Sequence, residues 1–145
     1  MPLKVTNLKS RDQTGRAIYR QAKNFRDLKN GIDTTLKEWF DFVKSLPYAE
    51  NPDGIEIVKR PAFVLNNLKE PIDCKQKAVL MGAWLEAHGI PWRLVAVSER
   101  PDKIIHHVMI QAKISGRWKN IDATYNTFKL FEPKVDVTYA EELPR

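Results

Sequence analysis

A cysteine, a histidine and an aspartate, in the order Cys74, His107, Asp122, are the side chains of this sequence best suited to covalent chemistry. A thiol attacks a carbonyl as its thiolate, so it needs a base to take the proton and a third group to orient that base. Cys74 is the chain's only cysteine. The stretch around it, Ile72 to Pro91, reads as a helix. Asp73 is an N-cap and Gly89 followed by Ile90-Pro91 is a stop signal. Ala78, Met81, Gly82 and Leu85 recur at helical spacing, and Val79, Leu80 and Trp84 widen the apolar surface, as expected of a central helix. Sulfur in the first turn faces the positive end of the helix dipole and unpaired N–H groups, both of which favour the thiolate. The plainer alternative is a small buried core cysteine.

Past Pro91 the hydrophobic period changes to two. Trp92 to Val97 reads as a strand, Ser98 to Lys103 as a turn, and Ile104 to Ile114 as a long strand. Ser115-Gly116 signals a two-residue hairpin, with Arg117 to Asp122 returning. Reflection about that turn pairs position i with about 231 − i, which brings Asp122 beside His107 on the neighbouring strand. Alternation separates the two histidines. His106 shares a face with Ile104, Val108, Ile110, Ala112 and Ile114, an apolar row that suits a packed or rim histidine. His107 shares its face with Ile105, Met109, Gln111 and Lys113, a row that turns polar and can border a groove. His88 lies at the far end of the cysteine helix, too distant to act on Cys74 and placed to cap that terminus.

The elements upstream must pack on this unit. Thr14 to Asn30 carries Ala17, Ile18, Ala22, Phe25 and Leu28 at helical spacing, closed by Asn30-Gly31. Thr35 and Glu38 have capping-box spacing ahead of Leu36, Trp39, Phe40, Val43 and Leu46, a second helix ended by Pro47. Its aromatic residues read as core. Pro47 to Arg60 is a loop with turn chemistry at Asn51, Pro52, Asp53 and Gly54, and Ile55 to Val58 a short extended piece inside it. Pro61 opens a short helix through Leu65. Residues 1–12 and 139–145 are expected to be loosely held, with a short strand at Val135 to Thr138. Helices followed by an antiparallel meander make an α+β fold in a single domain spanning residues 1–145.

With 145 residues, 43% hydrophobic and 29% charged, the chain has the composition of an ordinary globular domain. No apolar run approaches the roughly 20 residues of a membrane span. Met1-Pro2-Leu3-Lys4 lacks the apolar core of a signal peptide, and a lone cysteine suits a reducing compartment, so a cytoplasmic or phage-encoded intracellular location is expected. The net charge of +6 raises nucleic acid as a partner. The basic residues are spread along the chain without a nucleic-acid motif, which favours a solvated surface.

The segments Asp73-Cys74, Gly89-Ile90-Pro91-Trp92-Arg93-Leu94-Val95-Ala96-Val97, His107-Val108-Met109-Ile110, Gly116-Arg117-Trp118 and Ile121-Asp122-Ala123-Thr124-Tyr125 together resemble the transglutaminase-like superfamily of papain-type cysteine enzymes. The resemblance covers about residues 33 to 128 and is similar to small stand-alone members in bacteria and their tailed phages. It implies a papain-like, transglutaminase-like fold, with the central cysteine helix on the β-meander. It also implies Cys74 as nucleophile, His107 as general base and acid, and Asp122 as orienting carboxylate. The oxyanion hole would use the Cys74 backbone N–H with a side-chain donor, for which Tyr48 and Gln76 are candidates. Ile72 stands where the family usually has glycine, Lys75-Gln76 where an acidic pair is frequent, Trp92 where a small residue is usual, and Ala123 in place of proline. Trp92 and His106 join the candidate substrate-pocket residues.

The expected activity is cysteine-dependent acyl transfer on the amide of a protein or peptide, without cofactor or metal, ending in hydrolysis or in crosslinking. The rival readings are a binding or assembly protein on the same fold and, behind it, a basic nucleic-acid-binding module with an inert Cys74.

Overall fold

The computed structural model describes residues 8–50 and 58–145. Five helical segments come first: α1 (Leu8–Ala22), a 3₁₀ segment (Phe25–Asp33), α2 (Leu36–Ser45), α3 (Pro61–Leu65) and α4 (Cys74–Ala87). Four strands follow, β1 (Trp92–Ser98), β2 (His107–Ile114), β3 (Arg117–Ile121) and β4 (Tyr139–Leu143). They form one antiparallel sheet in the order β3-β2-β1-β4. The fold is therefore α+β, and the expected meander is completed by a fourth strand that returns beside the first, a Greek-key order. Among the described residues no helix is long and apolar enough to cross a membrane.

The cysteine helix is built as its sequence dictates. The Asp73 carboxylate accepts the backbone N–H of Gln76 at 3.1 Å, satisfying one of the orphan donors of the first turn. At the other end Ile90 N–H donates to Leu85 C=O at 3.0 Å and Gly89 N–H to Glu86 C=O at 3.1 Å. Gly89 takes φ +66° to close this paired motif, a conformation that glycine adopts without strain. Every residue from Cys74 to Leu85 is buried, because α1, the 3₁₀ segment, α2 and β2 all pack on α4. The Thr35–Glu38 capping box of α2 is formed in both directions, at 2.8 and 3.1 Å. The two-residue turn between β2 and β3 has Ser115 at φ +53° and Gly116 at φ +79°, the primed turn that matches strand twist.

Several elements depart from the sequence reading. Helix α1 already includes Leu8 to Asp12, where loose chain was expected, and Arg11 pairs with Glu141 at 2.8 Å. It stops at Ala22 instead of running to Asn30, because the Asn24 amide turns back on Gln21 (3.3 Å to O, 3.1 Å to Oε1) and the chain resumes as the 3₁₀ segment. The last strand is Tyr139–Leu143 and not Val135 to Thr138, so the terminus expected to fray is paired with β1. Leu143 is buried, and Tyr19 links it to β1 by donating to Leu143 C=O at 3.4 Å while accepting Leu94 N–H at 2.7 Å. Strand β2 begins at His107, three residues later than expected, after a turn in which Asp102 accepts Ile104 N–H at 2.9 Å. The extended piece expected at Ile55 to Val58, and the turn residues before it, fall largely outside the described residues.

Trp92 explains one position on α4. A Cβ on Gly82 would stand 2.6 Å from the Trp92 ring, which is 2% exposed. Helix propensity alone gives Gly82→Ala a gain of about 1 kcal/mol. The clash reverses that sign, and the variant is expected to lose about 1–3 kcal/mol, read as a lowered melting temperature.

Candidate active site

Three elements bring the candidate residues together: the start of α4, the start of β2 and the turn after β3. Pairing of Ile110 with Ile121, extended by one residue, sets Asp122 opposite Met109 and diagonal to His107 on the same face of the sheet. The His107 Nε2 lies 2.7 Å from Asp122 Oδ2. That bond leaves Nδ1 as the ring nitrogen available to the thiol. Cys74 stands close enough to the imidazole to raise its pKa, and the two line one narrow crevice.

Asp122 does two jobs with two oxygens. Its Oδ1 accepts the backbone N–H of Thr124 at 3.1 Å and the Thr124 hydroxyl at 2.6 Å, which closes the turn. Its Oδ2 faces His107 and the Lys134 ammonium, the latter at 3.0 Å. Burial raises the carboxyl's pKa, but the His107 hydrogen bond and charge, Thr124 and Lys134 hold it well below the usual carboxylate range. For His107, burial favours the neutral ring, and the Asp122 bond, Cys74 and the Asp122 charge override it and push the imidazole up to about 10. Both shifts describe an imidazolium held by a carboxylate.

The chain before α4 is drawn against the loop after α2. Ile72 N–H donates to Pro47 C=O at 2.9 Å and Ala49 N–H to Ile72 C=O at 3.1 Å, forming a parallel bridge at Tyr48. Tyr48 thereby comes beside Cys74, with its ring 4.9 Å from that of Tyr125. Burial, a hydrogen bond with Tyr125 and the proximity of Cys74 all push the Tyr48 hydroxyl's pKa upward, so it remains a proton donor. Gln76, the other candidate donor, has both ends of its amide engaged: Nε2 donates to Lys59 C=O at 2.7 Å and Oε1 accepts Lys59 N–H at 2.9 Å. It anchors the segment ahead of α3.

Two candidates for the substrate pocket stand elsewhere. Trp92 pairs with Ala112, five residues along β2 from His107, or about 16 Å at the rise of a strand. Its ring fills the hollow over Gly82, stacks on Tyr19 at 4.8 Å and donates to Glu86 at 2.9 Å. It is a core residue, and its bulk is accommodated by the glycine. His106 precedes β2, and its Nε2 accepts Glu99 N–H at 2.9 Å, closing the β1–β2 turn. His88 stands at the α4 C-cap, stacked on Trp84 with Nε2 2.7 Å from Ile32 C=O of the 3₁₀ segment.

Cys74 is 6% exposed. The crevice over it is lined by His107, Lys75, Arg11, Thr14 and Leu143 and holds about 30 Å³. Lys75 in turn bridges Asp73 at 2.5 Å. A larger cleft of about 440 Å³, lined by Glu50, Lys59, Phe63, Ile72, Asp73 and Gln76, opens at the same end of α4. Among the described residues no group of three or more His, Cys, Asp or Glu side chains could hold a metal ion. Sequence reasoning missed Lys134 and Lys77. The second is 2% exposed one turn after Cys74, a charge where the helical pattern calls for an apolar residue.

No family model matches the chain, and no curated protein matches it. Its fold is similar to that of a crystal structure from Parabacteroides distasonis described as a "putative protease", with a TM-score of 0.53 and 16% identity over 80% of this chain and 26% of that one. The chain spans about a quarter of that protein's length. At this identity the likeness is one of fold: the chain is an α+β protein whose architecture is shared with part of a protein described as a protease.

Proposed function

We propose that this protein catalyses cysteine-dependent acyl transfer on an amide, with Cys74 as nucleophile, His107 as general base and acid and Asp122 as the orienting carboxylate. The observation that carries the reading is the arrangement of His107, bonded through Nε2 to a buried Asp122 at 2.7 Å and sharing one crevice with Cys74 at a helix N-terminus. It is also the arrangement implied by the resemblance to transglutaminase-like, papain-type enzymes.

In this reading the Cys74 sulfur forms a bond to the acyl carbon, and the carbonyl π electrons move onto oxygen. The backbone N–H of Cys74 and the Tyr48 hydroxyl are the donors offered to that oxyanion, since the Gln76 amide is engaged with Lys59. As the tetrahedral centre collapses, the C–N bond breaks and His107 gives its proton to the departing amine. His107 then takes a proton from the incoming acceptor, which releases the acyl group and restores the thiolate. Water as acceptor makes the protein a protease or amidase, and a primary amine makes it a crosslinking transferase. The low exposure of Cys74 favours an extended peptide or protein side chain as acyl donor over a folded surface.

The test is the pH dependence of thiol alkylation. Iodoacetamide is expected to label native Cys74 rapidly at about pH 6, well below the free-thiol pKa of about 8.5. Labelling that is slow at about pH 6 and rises only above about pH 8 would mark an ordinary cysteine and sink the proposal.

A further inference from the structure

The reading above leaves a buried charge unused. Lys77 follows Cys74 by one turn, and its side chain is among the largest fully buried ones in the protein. The ammonium donates to Thr124 C=O at 3.0 Å and to Lys44 C=O at 3.2 Å. Lys44 lies in the last turn of α2, where carbonyls have no partner within the helix and carry the negative end of its dipole. Thr124 is the residue whose N–H and hydroxyl both bind Asp122 Oδ1. A single side chain on α4 thus reaches the end of α2 and the turn that carries Asp122.

We infer that Lys77 is a positioning residue of the site, fastening the Asp122 turn to the helix that bears Cys74 and so setting how His107 is presented to the thiol. This rests on the reading of Cys74, His107 and Asp122 as a catalytic set. The chain of contacts is continuous: Cys74 and Lys77 share one helix, Lys77 holds Thr124, Thr124 holds Asp122, and Asp122 holds His107. The residues around a small void at this junction include Cys74, Lys77, Asp122 and Thr124. An apolar side chain of the same length would fill the space but take this donor from the buried Thr124 carbonyl and the half-buried Lys44 carbonyl, so packing alone does not account for a lysine.

The charge fits its surroundings. Burial lowers the Lys77 pKa to about 8, with the attraction of Asp122 acting against that fall, so the ammonium predominates at neutral pH. The other ionisable groups at the site are Arg11 on α1, Lys75 on α4 with its partner Asp73, Lys134 on the β3–β4 connection and Tyr48 beside Cys74. The directed bond of Lys77 to the Thr124 carbonyl distinguishes its role from a general positive field.

The experiment compares iodoacetamide rates at about pH 6 and about pH 9.5 for wild type, Lys77→Met and Lys77→Gln in the full chain, alongside melting temperatures. Lys77→Gln is the second variant should Lys77→Met fail to fold, since its amide is polar but uncharged and one bond too short to hold both carbonyls as the ammonium does. The expected result in the folded variant is a rate about tenfold lower at about pH 6 and within about twofold of wild type at about pH 9.5, where any accessible thiol has ionised. A lowered melting temperature with both rates unchanged overturns the inference and leaves the catalytic reading standing. A wild-type protein that is itself slow at about pH 6 overturns both.

Discussion

His107→Ala is expected to remove the low-pH reactivity of Cys74 almost entirely. In the proposed site the imidazolium is the positive group that would pair with a Cys74 thiolate, and Asp122 and Cys74 together raise its pKa to about 10. Without it, the α4 dipole, the first-turn N–H groups and the more distant cations are left to favour ionisation. Alkylation at about pH 6 should fall about a hundredfold, toward the rate of a free cysteine with pKa about 8.5. His106→Ala is the control, because His106 accepts Glu99 N–H in the β1–β2 turn. It should lower stability by about 0.5–1.5 kcal/mol, through the lost hydrogen bond, and leave the alkylation profile in place. A reversal of the two results would show that the strand presents the other histidine to the thiol.

Asp122 should be the most costly side chain of the set to truncate. Asp122→Ala removes the carboxylate from His107, Lys134 and the Thr124 turn at once, and is expected to cost about 3–5 kcal/mol, as for one partner of a buried ion pair. Asp122→Asn keeps the shape and part of the hydrogen bonding, and should cost about 1–3 kcal/mol while slowing alkylation at low pH. The pH dependence follows from the directions of the two shifts. Asp122 is depressed from 3.8, so its contribution is full above that value and lost as the pH falls below it. His107 is raised from 6.5 to about 10, so its contribution is full below 6.5 and lost as the pH rises through about 10. The melting-temperature gap between wild type and Asp122→Asn should therefore be widest between about pH 4 and 6.5, narrowing on either side. A gap that does not vary with pH, with alkylation unaltered, would reduce Asp122 to its turn-closing bonds with Thr124.

The parts of the fold written in local chemistry were legible from residues alone. Asp73, the Thr35–Glu38 box, Gly89 and Ser115-Gly116 each act on backbone groups within a few residues, and each stands where its type requires. The hairpin turn also fixed the parity that puts Asp122 diagonal to His107. What was hidden depends on distant partners. The Tyr139–Leu143 segment is charged and weakly alternating, as suits an edge strand, and becomes a strand only because β1 offers its edge and Leu143 finds a place in the core. Trp92 looks like a departure at a pocket, until Gly82 on another element provides the hollow for it. Lys77 is a charge on an apolar helix face, and nothing nearby in sequence discloses the two carbonyls that receive it.

Acylation of Cys74 tests the central proposal most directly. The 145-residue chain would be mixed at about pH 7 with an activated acyl ester such as p-nitrophenyl acetate, quenched in acid within seconds and read by intact mass and peptide mapping. The expected result is one acetyl group carried on Cys74, accompanied by a burst of nitrophenol, with neither seen in Cys74→Ala and both strongly reduced in His107→Ala. An unmodified Cys74, or labelling that is the same in His107→Ala, would contradict it.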